Sequence, residues 1–335
     1  MVSELPGEGA LWTTPIEVFD PHFHIWDIRE SVGHADPATL FAPAGTEHEG
    51  LYDATDLERD WAPLPAPFVH MGGVHIEAIS CCFKGLSAQQ LSPLCLREAE
   101  WVQAEIDKHF ELTCQDRLRR REYFQAASAC LEDPEVAAVL QRLAANPKVR
   151  GVRQVLNVDP DWPRNGTNGL GELLDLPAWR AGYAQLAGVG FSFDMQLNPH
   201  QFQKGAALAA SHPAVPVIIN HMGTPRLQDL QDGGGLFWEG MEALAAAGPH
   251  VFLQVSMLGY ADPKWDENEL VTAAVARAIQ LFGPERCFFA SNYPVDLLPA
   301  HGAWTPERLY PAFLKVAQAA GCDGAAIRCM FNQNA

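Results

Sequence analysis

Basic residues are scarce in this chain. Of 335 residues, 23 are Lys or Arg and 41 are Asp or Glu, a net charge of −18. A surface that acidic repels phosphate backbones and anionic lipid headgroups, so neither nucleic acid nor membrane is an expected partner. No uninterrupted apolar run reaches the roughly 18 residues that a membrane-spanning helix needs. The segment Met1 to Thr14 has neither a basic start nor an apolar centre, and no secretory signal is read there. The eight cysteines (Cys81, Cys82, Cys95, Cys114, Cys130, Cys287, Cys322 and Cys329) contain no Cys-x-x-Cys pair and no framework spacing. They read as reduced, mostly structural thiols. These absences describe a soluble, cytoplasmic protein acting on a small molecule, with homo-oligomerisation left open.

What is present is apolar periodicity, carried by a composition that is 48% hydrophobic. Eight short apolar stretches read as strands: 16–20, 72–79, 123–127, 149–156, 190–196, 215–221, 251–256 and 286–291. Almost every one is followed by a helical pattern, as at 96–110, 134–143, 177–186, 199–211, 237–247, 269–282 and 306–319. Strand–helix alternation implies a parallel sheet with right-handed crossovers, and eight units close into a (β/α)8 TIM barrel. A doubly wound open sheet is the alternative, but no Gly-x-Gly-x-x-Gly follows the first strand. The expectation is a single domain over 1–335, with the barrel at 15–335. Residues 25–70, poor in periodicity and rich in Pro, Gly and acidic residues, are expected to form a lid-like insertion after the first strand.

Polar residues gather where such a barrel carries its chemistry, at the C-terminal ends of the strands. His22 and His24 lie two apart in an extended segment and so share a face, with Asp20 on that side if the strand runs that far; such a pair can grip a metal ion or an anion. His75 and Glu77 alternate with Val74 and Ile76, and look into the centre if the apolar pair packs on the helix layer. Asp194 and Gln196 share a face, and the sixth strand ends in His221. Arg153 and Asn292 fall at strand ends as well. Trp26, Trp61, Trp162 and Tyr293 offer a floor for a ring, although aromatic residues also serve as packing.

Seven segments in order resemble a known family: Asp-Pro-His-Phe-His-Ile-Trp (20–26), Val-His-Ile-Glu-Ala (74–78), Val-Arg-Gly-Val-Arg-Gln (149–154), Leu-Leu-Asp-Leu-Pro-Ala-Trp-Arg (173–180), Phe-Ser-Phe-Asp-Met-Gln (191–196), Ile-Asn-His-Met-Gly-Thr-Pro (219–225) and Ala-Ser-Asn-Tyr-Pro-Val-Asp (290–296). The chain resembles the amidohydrolase-related TIM-barrel hydrolases (amidohydrolase 2), in the lactonase branch that includes L-fuconolactonase and 2-pyrone-4,6-dicarboxylate lactonase. The resemblance implies that His22 and His24 line the metal or substrate end of the first strand. It also implies that His221 follows the sixth strand, and that Arg150 and Arg153 help to place a carboxylate or carbonyl. Members of the family often carry Asp where this chain has Asn292, and an amide is neither a general base nor a good metal ligand. Asp296, four residues on, either leans back to the site or is an ordinary loop carboxylate. Relatives continue for several residues beyond Ala335, and an end trimmed there is expected.

The reaction so implied is the hydrolysis of a lactone, of a sugar acid or an aromatic-breakdown intermediate, by activated water. One divalent ion, zinc for mixed N/O ligation, is expected on His22 and His24 with Glu77 or His221 completing the set. Without a metal, His221, Asp194 or Glu77 accepts the proton; Glu77 has a competing reading as the ion-pair partner of Arg150 or Arg153. Tyr293, Trp26 and Gln196 complete the expected substrate contacts. The alternatives are a non-oxidative decarboxylase and a barrel that has lost its chemistry and binds a small acid.

Overall fold

The computed structural model describes residues 14–27, 29, 50–61, 64–79, 86–111, 121–158, 172–231, 235–298 and 301–335. Parts of the expected lid at 25–70, and Trp162, lie outside them. The eight barrel strands are β1 (Ile16–Phe23), β2 (Phe68–Ile76), β3 (Glu122–Ser128), β4 (Val149–Arg153), β5 (Ser192–Met195), β6 (Val217–Ile219), β7 (Val251–Val255) and β8 (Cys287–Phe289). Each pairs in parallel with the next, in the order β1 to β8. This is the alternation that the apolar periodicity predicts, wound into a (β/α)8 barrel. The strand expected from 72 starts at Phe68, so 68–70 belong to the barrel and not to an insertion. Trp26–Asp27 and Leu51–Tyr52 form a separate two-stranded antiparallel ladder.

The helices follow from caps and stripes. Helix α1 (Ala54–Trp61) precedes β2, and α2 (Ala88–Glu105) begins well before the apolar stripe that predicts it. The reason is Ser87, which accepts from the Gln90 amide while the Gln90 side chain accepts from Ser87 N–H, a reciprocal capping box. Helices α3 (Val136–Ala144), α4 (Pro177–Tyr183), α5 (Phe202–Ser211), α6 (Leu236–Ala246), α7 (Glu269–Phe282) and α8 (Pro306–Ala319) complete the outer layer. Asn268 caps α7 through Leu270 and Val271, and Pro306 occupies the first turn of α8, where no N–H is needed. Gly182 in α4 sits where a Cβ would lie 1.9 Å from Leu131 O, so this helix reaches the barrel only without a side chain there. Among the described residues no helix is long and apolar enough to cross a membrane.

Inside the barrel, Phe19, Pro21, Val74, Ile76, Phe124, Ala126, Gly151, Ser192, Ile218, Phe252 and Phe288 surround a cavity of ≈ 350 Å³. Val74 and Ile76 therefore face inward, the reverse of the orientation that would aim His75 at the centre. His75 packs edge-on to Phe23, 6.0 Å between centroids, and its Nε2 lies 3.0 Å from Ile25 O. The alternation also breaks in β1, whose pairing with β2 shifts register between Val18 and Phe19 and again between Asp20 and Phe23. Asp20 consequently does not share a side with the histidines, because a bulge reverses the parity of every residue beyond it. Its carboxyl reaches instead toward β8.

No continuous ladder joins β1 to β8, and the seam is closed by individual bonds near its upper end. Asp20 accepts from Ser291, Asn292 N–H donates to His22 O at 2.8 Å, and His24 N–H donates to Tyr293 O at 2.7 Å. The strand that carries the two histidines is thus fixed to the end of the last strand.

Candidate active site

At the C-terminal mouth of the barrel three buried imidazoles meet. His22 and His24 face one another with Nε2 atoms 3.1 Å apart, and the His22 and His221 rings lie 4.6 Å apart. Each ring is held from behind. His24 Nδ1 lies 2.8 Å from Ile76 O, His22 Nδ1 lies 2.9 Å from Gln254 Oε1, and His221 Nδ1 lies 2.8 Å from Ser256 Oγ. Burial pushes all three well below the usual imidazole range, and the Arg153 guanidinium pushes each of them the same way. They stand as neutral rings at neutral pH.

Next to them lies an ion pair. Arg153, at the end of β4, donates from Nε to Glu77 Oε1 at 2.7 Å and from Nη2 to the Glu77 carbonyl, and from Nη1 to Gln196 Oε1 at 3.1 Å. Both charged side chains are almost fully buried, at 4% and 0% exposure. The sequence leaves Glu77 open between a catalytic role and an ion pair, and the structure pairs it with Arg153. Gln196 passes the network on to Asn157 at 3.0 Å, and Asn157 to Thr224 at 3.3 Å.

Asp194, on β5, accepts from Asn220 Nδ2 at 2.8 Å and reaches the top of the interior cavity. Burial raises its carboxyl to about 6, against the opposing pull of Asn220 and Arg153. That is the range in which a carboxylate is both ionised and basic near neutrality.

Asn292 commits its side-chain amide to Asp296, donating to Oδ1 at 2.9 Å. Asp296 is buried and raised to about 8 by that burial; it also accepts from the Met257 amide. Three neighbouring strand ends carry non-glycine residues in the left-handed region: His221 (φ 55), Met257 (φ 54) and Asn292 (φ 56). Each turns the chain sharply where it leaves the barrel.

Not every expected residue is gathered here. Arg150 lies at the opposite, N-terminal end of β4, exposed, with its guanidinium 4.9 Å from the Phe124 ring centre. Tyr293 is fully buried against Trp61, at 6.3 Å, in the layer between barrel and α8. Trp26 is buried on Tyr52 but lies 6.5 Å from His24, so it borders the site. Gln254, Ser256 and Asn220, which the sequence reading does not single out, are fully buried parts of the site. Their strand-end positions, at the same height as Asp194 and His221, are the signal that marks them.

A metal ion can be tested against these residues. Two imidazoles bound to one ion at about 2.0–2.1 Å place their donor nitrogens about 3 Å apart, and the His22 and His24 Nε2 atoms stand at 3.1 Å. That pair fits. Among the described residues no cluster of three or more His, Cys, Asp or Glu side chains is disposed to hold a metal, so the protein offers a two-histidine grip.

The comparisons agree with this architecture. The uncharacterized protein y4mH of Sinorhizobium fredii is 29% identical over 290 residues, 84% of this chain and 86% of that one. The L-fucono-1,5-lactonase of Burkholderia multivorans is 27% identical over 185 residues, 52% of this chain and 60% of that one. In fold, the chain is similar to a crystal structure of an amidohydrolase from Burkholderia multivorans with bound zinc, at a TM-score of 0.61 and 20% identity, covering 95% of this chain and 96% of that one. The Amidohydrolase family matches residues 19–335, nearly the whole of the barrel described above, and the chain belongs to that family.

Proposed function

We propose that this protein hydrolyses a cyclic ester, a lactone of a sugar acid or of an aromatic-catabolism intermediate. The observation that carries the reading is Asp194: a carboxyl buried at a strand end, oriented by Asn220, close enough to Arg153 and Glu77 to feel their charges, and tuned to about 6. Lactone opening needs one group that removes a proton from water and returns it to the departing oxygen, and a carboxylate of that basicity does both. Asp194 takes the proton as the water oxygen attacks the carbonyl carbon. The ring C–O bond then breaks and the alkoxide takes the proton back, leaving an open hydroxy acid.

The Arg153–Glu77 pair keeps a fixed positive group beside the reacting carboxylate, and Gln196 and Asn157 hold that guanidinium in place. His22 and His24 are the residues that would hold a divalent ion, which when bound supplies Lewis acidity toward the lactone carbonyl. The likeness to L-fucono-1,5-lactonase supports a sugar lactone as the first substrate to try.

The test is a pH-indicator assay across sugar 1,4- and 1,5-lactones and 2-pyrone-4,6-dicarboxylate, run beside carbon dioxide release from hydroxylated benzoates. Proton release from at least one lactone, abolished in Asp194→Asn, supports the reading. Carbon dioxide release with no lactone turnover replaces it with a decarboxylase, and ligand-induced stabilisation with neither reaction replaces it with a binding role.

A further inference from the structure

One side-chain oxygen serves two of the three imidazoles at the mouth. Gln254 Oε1 lies 2.9 Å from His22 Nδ1 and also accepts from Ser256 Oγ at 3.3 Å. Ser256 Oγ is in turn 2.8 Å from His221 Nδ1. An amide oxygen only accepts. His22 must therefore carry its proton on Nδ1 to bond it. Ser256, having spent its one hydroxyl hydrogen on the same oxygen, can only accept from His221, which places the His221 proton on Nδ1 as well. We propose that Gln254 is a positioning residue that sets the tautomers of His22 and His221 together, leaving the Nε2 lone pair of both rings free toward the mouth.

The third ring reaches the same state by its own route. His24 Nδ1 faces the Ile76 carbonyl, which also only accepts, and so His24 presents a bare Nε2. The lone pairs of His22 and His24 then face one space, with the His221 ring 4.6 Å from that of His22. Nothing but a positive centre or a hydrogen-bond donor is welcome there, which is the requirement for gripping a cation or for taking a proton from substrate or water.

The amide's orientation is the control. Rotated by half a turn, Gln254 would present Nε2 to His22 and to Ser256; His22 would have to move its proton to Nε2, and the Ser256 hydroxyl, freed to donate as well as accept, would no longer fix the His221 proton on Nδ1. His22 would then donate to His24 across the 3.1 Å gap and close the grip on itself. The nitrogen of Gln254 and the oxygen of Asn220 are both buried without a partner. The present orientation is therefore chosen at the expense of the Gln254 donor, which is consistent with its oxygen being the atom that is used. The assignment is independent of which reaction the site performs.

Histidine-nitrogen NMR on the full-length, isotope-labelled chain reads tautomers directly, before and after addition of zinc. The expected result in the parent protein is an unprotonated Nε2 on His22, His24 and His221. In Ser256→Ala only His221 loses its fixed tautomer. In Gln254→Leu both His22 and His221 lose theirs while His24 does not, and in Gln254→Glu, whose carboxylate still only accepts, both are retained. Zinc affinity, measured by chelator competition, drops by about 10–100-fold in Gln254→Leu and recovers in Gln254→Glu. A protonated Nε2 on His22 in the parent protein, or a Ser256→Ala variant in which His221 is unchanged, overturns the proposal. The Ser256→Ala arm reads out even if Gln254→Leu fails to fold.

Discussion

Asp20 and Ser291 join the two ends of the barrel wall. The Asp20 carboxyl accepts from the Ser291 amide at 2.9 Å and from its hydroxyl at 2.5 Å, across the seam where β1 and β8 share no ladder. Removing the hydroxyl in Ser291→Ala leaves a buried carboxyl with one fewer donor, at a cost of about 1–3 kcal/mol. His22 follows Asp20 by two residues, so the same change loosens the histidine pair. Urea unfolding and the affinity for zinc should fall together; a variant that loses neither would mean the seam is held elsewhere.

The proton chemistry assigned to Asp194 carries its own pH signature. A carboxyl at about 6 is inactive as a base once protonated, so kcat/KM should be level above that value and fall roughly tenfold per pH unit below it. Asp194→Asn keeps the bond to Asn220 in shape but removes the base, and a loss of about 100- to 10,000-fold is expected. A profile with no acid limb between pH 5 and about 7 would remove Asp194 from that role.

Breaking the Glu77–Arg153 pair should hurt far more than replacing it. Glu77→Gln leaves a buried guanidinium without its counter-charge, which costs about 3–5 kcal/mol. The double variant Glu77→Gln, Arg153→Met removes both charges and should recover much of the stability but none of the activity. Thermal unfolding of the three proteins checks this, and a double variant no more stable than the single one would count against it.

Stability should decline from about pH 6.5 to about pH 8. Burial holds Asp20 at about 7 and Asp296 at about 8, whereas an unfolded Asp sits near 4. In that interval the folded chain binds protons that the unfolded chain does not; what these groups contribute is complete at low pH and lost as pH rises through 7 and 8. The three buried histidines, held below the ordinary imidazole value, act in the opposite sense only at lower pH. Melting temperature against pH, compared with Asp296→Asn, tests this: the variant should show the shallower slope.

The barrel was legible because each strand is a short apolar run with a helical stripe behind it, and Val217–Ile219 or Val251–Val255 leave little else to read. Direction within the strand was harder. Arg150 and Arg153 look equivalent in sequence, yet three residues of strand separate the two ends of the barrel, and only Arg153 reaches the mouth. Parity failed at His75 and Asp20, because periodicity cannot say which face is the interior and a bulge in β1 inverts the count. Gln254 and Ser256 were invisible for a different reason. Their importance lies in which atom faces a histidine from another strand, and that is a property of the closed barrel alone.

The left-handed turns at His221, Met257 and Asn292 set stability and chemistry against each other. A non-glycine residue in that region costs on the order of 1–3 kcal/mol, and glycine would relieve it. At His221 the ring would be lost with the strain, and at Asn292 the tether to Asp296. Only Met257, which uses its backbone N–H toward Asp296, leaves its side chain uncommitted to that contact. A library selected for heat resistance alone would thus be drawn to glycine at His221 and lose one ring of the site, whereas at Asn292 the lost bond to buried Asp296 offsets the relief; Met257→Gly marks the place where robustness can be raised and the mouth kept.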